Sequence, residues 1–149
     1  MSTGAWVLVV AAVAALVLGL VNAARQGRFR GTHRVVGVEP SAEASGPVDS
    51  VLAGTSYDAA LGERATLLQF SSAFCAPCRA TRRILANVAE GRDGVAHLEV
   101  DAESNLELVR RLGVLRTPTT LVLDSHGQER VRAAGAPTRT QVLQALGDL

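Results

Sequence analysis

Phe74-Cys75-Ala76-Pro77-Cys78-Arg79 contains the only two cysteines of this 149-residue chain. The stretch follows an apolar run at residues 65–70 and opens a polar, helix-prone segment that continues to about Glu90. At the start of a helix, the first thiol lies near unpaired backbone N–H groups and the positive end of the helix dipole. A thiolate is stabilised there, so the pattern predicts a redox-active dithiol or disulfide. Cysteines so close together would restrain little of the unfolded chain, so function explains the pair better than stability.

The segments that follow the cysteines alternate between strand and helix patterns. Apolar runs predict strands at residues 94–101 and 119–123, and helical spacing predicts helices at 104–112 and after Pro137. The turn Asp124-Ser125-His126-Gly127 separates residues 119–123 from 128–134 and predicts an antiparallel hairpin. The order therefore predicts an α/β domain.

The N-terminal part of the chain has a different character. Residues 5–24 carry no charge, which matches the roughly 20 apolar residues that a spanning helix needs. We expect an uncleaved transmembrane helix, preceded by a short flank at residues 1–4. A cleaved signal peptide is the alternative, but the flank lacks the usual positive charge and the apolar run is long for a signal core.

Basic residues follow the apolar segment closely, at Arg25, Arg28, Arg30 and Arg34. The positive-inside rule then predicts a single-pass protein of the cell membrane whose C-terminal domain is cytoplasmic, with the extracytoplasmic face as the alternative. Residues 25–50 read as a basic collar and flexible linker, and residues 51–149 as the domain. The formal net charge of +1 gives no bulk attraction to nucleic acid, so we expect no such partner.

The order of strands and helices in the domain accompanies four short motifs: Cys75-Ala76-Pro77-Cys78, Gly113-Val114, Thr117-Pro118-Thr119 and Gly135. In this combination the domain resembles the thioredoxin family from about residue 66 to 149. This likeness implies a thioredoxin-like fold, in which helices flank a central mixed sheet. It also implies a protein thiol–disulfide oxidoreductase of the protein-disulfide reductase type. The redox-active disulfide would be Cys75–Cys78, with no other cofactor. Partners would be protein disulfides or thiols and an upstream thiol reductant or oxidant.

The resemblance also implies roles for single residues. Cys75 would be the nucleophile and Cys78 the resolving thiol. Pro118 corresponds to the family's cis-proline, and Thr117 would pair through its backbone with an extended substrate. Ala76 and Pro77 would tune the redox potential of the pair.

Three arginines follow the cysteines on the same helix, Arg79, Arg82 and Arg83, and two interpretations stay open for them. One is that they mostly form a solvated helix face. The other is that the cation of Arg79, the nearest of them to Cys75 in sequence, favours the thiolate.

Three positions depart from the family pattern. Phe74 replaces the usual Trp and is expected to cover the dithiol. Gln69 stands where thioredoxins bury an acid, and His97 where they often carry a Lys. One hypothesis is that Gln69 and His97 replace that acid–base pair, and the other is that His97 is simply a packed, hydrogen-bonded residue.

Two other functions use the same cysteines. A pair of thiolates can hold Cu(I) or contribute to a Zn²⁺ site, so a metal-binding or metal-delivery module is one alternative. The sequence offers no second cysteine pair and no His at ligand spacing, so we predict no metal ligands. The other alternative is a non-catalytic adaptor that docks substrates, although such a protein would not need Cys78.

Overall fold

A five-stranded sheet with helices on both faces carries the cysteine pair. The computed structural model describes residues 3–25, 29–31, 50–147 and 149. The strands are β1 Phe29–Gly31, β2 Ala65–Ser71, β3 Val95–Asp101, β4 Thr119–Asp124 and β5 Glu129–Ala134. The helices are α1 Thr3–Arg25, α2 Ala76–Glu90, α3 Leu106–Arg111 and α4 Arg139–Gly147, with a 3₁₀ turn at Asp58–Ala60.

The sheet is mixed and has the order β1-β5-β4-β2-β3. Strands β2 and β3 are parallel because α2 crosses between them, whereas the other neighbours are antiparallel. All seven residues of β2 are buried, as expected for a strand that is covered on both faces. The predicted mixed sheet flanked by helices is confirmed.

Two apolar clusters hold the helices to the sheet. On one face, α2 and α4 supply Leu85, Val88, Val142 and Leu146, which pack near Leu67 and Val122. On the other face, Leu52, Leu108 and Val114 pack near Leu68, Phe70 and Leu121. The alternation of side chains along β2 sends neighbouring leucines to opposite clusters. This fixes which strand residues face α2, and therefore which of them reach the cysteines.

The helix expected at residues 104–112 is shorter in the structure, and Leu106 is exposed while Leu108 enters the core. Strand β1 lies inside the segment expected to be collar and linker, where it pairs with β5. Residues 26–28 and 32–49 of that segment, with Arg28 and Arg34, lie outside the described residues.

The N-terminal helix α1 contains a stretch, Ala5–Asn22, that is long and apolar enough to cross a membrane. No residue of that stretch is buried against the other residues that the structure describes. A core helix would bury part of its surface, so this stretch is not part of the domain core. A signal sequence near an N-terminus can pass the same test of length and composition.

Candidate active site

The two cysteines form a disulfide at the start of α2. Cys75 is the N-cap residue, and its Sγ accepts a hydrogen bond from the backbone N–H of Cys78 at 3.1 Å. Pro77 stands within the first turn, where a missing N–H costs little. Cys75 is partly exposed, whereas Cys78 is only 2% exposed. The first sulfur is therefore accessible to a partner and the second is enclosed.

A second loop lies beside the disulfide and carries a cis peptide bond between Thr117 and Pro118. The hydroxyls of Thr117 and Ser72 are 3.0 Å apart, which ties this loop to the residues just before Cys75. Gly135 donates its N–H to the carbonyl oxygen of Pro118 at 2.7 Å, with a φ of 102° that favours glycine. These contacts place Thr117 and Pro118 at the same edge of the sheet as the cysteines.

Gln69 is fully buried on β2 below the cysteine turn. Its Nε2 donates to the backbone carbonyl of Cys78 at 3.0 Å and to Ser71 Oγ at 2.8 Å. Its Oε1 lies 3.2 Å from His97 Nε2. Because the Gln69 amide nitrogen faces two acceptors, its oxygen accepts from His97, which therefore carries its proton on Nε2. Both the nitrogen and the oxygen of the Gln69 amide are therefore hydrogen-bonded.

Glu99 extends this network towards the surface. Ser71 Oγ donates to Glu99 Oε1 at 2.6 Å, and Arg82 donates to the same oxygen at 2.8 Å. Burial alone would raise the pKa of Glu99, but the hydrogen bonds from Arg82 and Ser71 outweigh it and hold the pKa below its usual value. The Glu99 side chain is therefore a carboxylate at neutral pH.

Burial also governs His97 on the neighbouring strand. It disfavours the imidazolium and lowers the pKa of His97, although the charge of Glu99 acts to raise it and that of Arg82 to lower it. The ring is therefore neutral at pH 7. The structure thus brings Gln69 and His97 together, and the network continues from Gln69 through Ser71 to Glu99.

An open cleft of about 370 Å³ connects the disulfide to this network. Its walls contain both cysteines, two cations and two carboxylates: Cys75, Cys78, Arg79, Arg82, Glu99 and Asp101. The cleft gives solvent a route to the enclosed side of the pair.

The other predicted residues surround the first cysteine. Ala76, Pro77 and Arg79 are exposed around it. Phe74 is 99% exposed, so its ring projects into solvent and does not cover the disulfide as expected. Leu115, in the loop leading to Pro118, is equally open at 95%.

Ser71 and Glu99 belong to the site but were not predicted from the sequence, although the alternation of residues along the strands indicates where they lie. Ser71 lies two positions after Gln69, and Glu99 lies two positions after His97, so each pair shares one face of its strand. The parallel register sets Gln69 beside Glu99. Arg82 lies on the exposed side of α2 and pairs with Glu99.

Metal binding is an alternative function that the sequence leaves open for the cysteine pair. Within residues 3–25, 29–31, 50–147 and 149, no three His, Cys, Asp or Glu side chains are grouped so that they could hold a metal ion. The cysteines are joined to each other, and His97 is bonded to Gln69. The site as built is suited to thiol–disulfide exchange.

Comparison with known proteins relates the whole domain to one family. A family model described as Thioredoxin matches residues 49–148. The chain is 33% identical over 75 residues to human Thioredoxin domain-containing protein 2, covering 48% of this chain but only 14% of that longer protein. It is 27% identical over 108 residues to the thioredoxin of Mycobacterium tuberculosis, covering 72% of this chain and 92% of that one.

The fold comparison agrees. The crystal structure of chloroplastic thioredoxin z superimposes with a TM-score of 0.54 at 23% identity. The match covers 62% of this chain and 82% of that chain. The expected thioredoxin-like fold is thereby confirmed.

Proposed function

Because the chain belongs to the thioredoxin family, we propose that it is a membrane-tethered thiol–disulfide oxidoreductase that reduces disulfides of partner proteins. The observation that carries this proposal is the asymmetry of the pair, in which Cys75 is accessible at the start of α2 and Cys78 is enclosed behind it. An accessible thiol can attack a partner, and an enclosed one can attack only what is bound to Cys75.

The reaction begins with the reduced dithiol. The Cys75 thiolate attacks one sulfur of a partner disulfide, forming a mixed disulfide and releasing the partner's other sulfur as a thiolate. The Cys78 thiolate then attacks Cys75 Sγ, which forms the Cys75–Cys78 bond and releases the second partner sulfur. The partner gains two electrons and two protons, and the protein loses them. An upstream thiol reductant restores the dithiol.

The Cys78 thiol must lose one proton before it can attack, and position 69 is a glutamine, which cannot accept that proton. Gln69 already donates to the Cys78 carbonyl and to Ser71, so it orients the turn rather than accepting a proton. The carboxylates of Glu99 and Asp101 line the same cleft as Cys78. The pKa of each of these carboxylates is lowered, so neither can keep a proton at neutral pH. We therefore assign proton removal to water in the cleft, which passes the proton to bulk solvent.

Helix α1 supports the membrane tether. It ends at Arg25, the first of four arginines that follow the apolar stretch, and the positive-inside rule then favours a cytoplasmic domain. The test is a single cysteine, Ser125→Cys, placed in the exposed β4–β5 turn of a chain that carries Cys75→Ser and Cys78→Ser. A membrane-impermeant maleimide should label it only after the cells are broken. Labelling of intact cells would reverse the orientation, and recovery of the chain outside the membrane fraction would refute the tether.

The activity is tested with the full chain in detergent micelles, using insulin as substrate and dithiothreitol as reductant. Wild type should accelerate the precipitation of reduced insulin, and Cys75→Ser should abolish the acceleration. Ser125→Ala, far from the cysteines at the other end of the hairpin, is the matched control and should behave as wild type. A Cys75→Ser variant as fast as wild type would refute the proposed role of the pair.

A further inference from the structure

The connection between the apolar helix and the sheet is very short. Helix α1 ends at Arg25 and strand β1 begins at Phe29, so only three residues separate them. Even fully extended, that connection spans about 14 Å between the two Cα atoms. If α1 crosses the membrane, the first residue of β1 is therefore held close to the bilayer surface.

Strand β1 begins at the end of the sheet where the cysteines lie. We call this end, which carries Cys75, Thr117 and Pro118, the active-site edge. Phe29 pairs with Ala133, Ala133 with Thr120, and Thr120 with Gln69, so these four residues form one row across the sheet. The last of them contacts the Cys78 carbonyl. With strands about 4.8 Å apart, the row from Phe29 to Gln69 is about 14 Å long.

The opposite end of the sheet points away from this connection. The β4–β5 turn follows Asp124, at the far end of β4 from Thr119 and Pro118. Six residues of β4 separate the two ends by about 20 Å. The chain thus leaves α1 beside the active-site edge rather than beside the turn.

Two exposed apolar side chains stand at the active-site edge. Phe74 precedes Cys75, and Leu115 lies in the loop that leads to Pro118. Both are almost completely open to solvent, and neither contributes to the core. Exposed apolar groups beside a reactive cysteine fit an apolar or interfacial partner surface better than a highly charged one.

We infer that the active-site edge faces the membrane surface and acts on disulfides of integral membrane proteins within about 30 Å of the bilayer. This inference rests on the membrane tether proposed above. The short connection and the row of paired residues together set the maximum distance between the dithiol and the end of α1. To reach Cys75, a soluble protein would have to fit between the domain and the membrane. Most orientations in which it could approach are therefore blocked.

Fluorescence transfer to the bilayer tests the orientation. The full chain is reconstituted into phosphatidylcholine vesicles that contain an acceptor-labelled lipid headgroup. A donor is attached to Cys75 in a Cys78→Ser variant, and in the matched control to Ser125→Cys in a chain carrying Cys75→Ser and Cys78→Ser. We expect stronger transfer from Cys75 than from position 125. Equal transfer, or stronger transfer from position 125, would overturn the orientation while leaving the tether intact.

Floating the vesicles on a density gradient tests the membrane tether separately from the orientation of the domain. If the chain does not float with them, the tether fails and the inference fails with it. Loss of insulin reduction would instead indicate failure of the proposed activity, whichever way the domain faces.

The preference for substrates close to the bilayer is tested by measuring two reduction rates. One is the rate for a disulfide peptide attached to a lipid headgroup by a short linker, and the other is the rate for the same peptide free in solution. A second protein carries a 20-residue Gly/Ser spacer inserted between Gly27 and Arg28, which adds about 25 Å of flexible span. We expect the ratio of anchored to free reduction rates to fall at least severalfold in the spacer variant. An unchanged ratio would contradict the inference.

Discussion

The hydrogen bonds of Gln69 stabilise the structure beneath the disulfide, and the substitution Gln69→Leu tests how much they contribute. The side chain is fully buried and makes three hydrogen bonds, to the Cys78 carbonyl, to Ser71 and to His97. Leucine fills a similar volume but can neither donate nor accept. The substitution therefore removes all three hydrogen bonds and leaves their partners unpaired.

The size of the effect follows from these contacts. Each hydrogen bond contributes about 1 kcal/mol net, so their loss costs about 3 kcal/mol. Burial of the extra apolar surface of leucine offsets up to about 1 kcal/mol. We expect the free energy of unfolding to fall by about 2 to 3 kcal/mol. For a domain of this size the melting temperature should then fall by about 10 °C.

The assay is scanning calorimetry of the full chain in detergent micelles, with the disulfide oxidised. The matched control is Thr120→Val, directly opposite Gln69 on β4. Thr120 is fully buried, and its hydroxyl has no hydrogen-bond partner among the residues that the structure describes. Valine has nearly the same shape and removes an unpaired polar group, so this variant should be as stable as wild type or slightly more stable.

A Gln69→Leu protein that melts at the wild-type temperature would refute the reasoning. So would a Thr120→Val protein that loses as much stability as Gln69→Leu, because the effect would then reflect any change in this row rather than the hydrogen bonds of Gln69.

Three further predictions concern charge. Because the pKa of His97 is lowered on folding, the unfolded chain binds more protons, and stability should decline as the pH falls below about 6.5, the usual value for histidine. His97→Gln should flatten this decline in urea unfolding curves measured between about pH 7 and pH 5, and an unchanged slope would contradict the assignment. Glu99→Gln removes a charge that raises the pKa of His97, so the ring should titrate at still lower pH by NMR; titration at higher pH would reverse the sign. Arg79→Glu should slow alkylation of reduced Cys75 by iodoacetamide severalfold at neutral pH, because the thiolate loses a neighbouring cation. Arg83→Glu, a turn further along α2, should alkylate at nearly the wild-type rate, and equal slowing by both would point to a general charge effect.

The cysteine turn and its supporting elements could be predicted because their signals are local. The apolar run before Cys75 and the helical stretch after Cys78 gave β2 and α2 almost to the residue. The hairpin turn after Asp124 was equally clear, since turn chemistry depends on neighbouring residues. Pro118 was placed through the resemblance to a family, and the cis peptide bond agrees with it.

Strand β1 escaped prediction because its pairing is not local. Its three residues find their partners about 100 positions further along the chain, and such short strands carry little pattern of their own. The role of Glu99 escaped for a related reason, because it depends on the register between β2 and β3. The exposure of Phe74 depends on what surrounds the cysteine turn in space, which no local pattern of residues specifies.

The measurement that tests the central claim most directly is capture of the mixed disulfide. Full-length Cys78→Ser protein is reduced, freed of reductant, mixed with oxidised insulin and quenched with acid, and the linked peptides are identified by mass spectrometry. The account predicts a stable insulin adduct on Cys75, and none on Cys78 in the matched Cys75→Ser protein. Absence of the Cys75 adduct, or an equal adduct on Cys78, would contradict the assignment of Cys75 as the nucleophile.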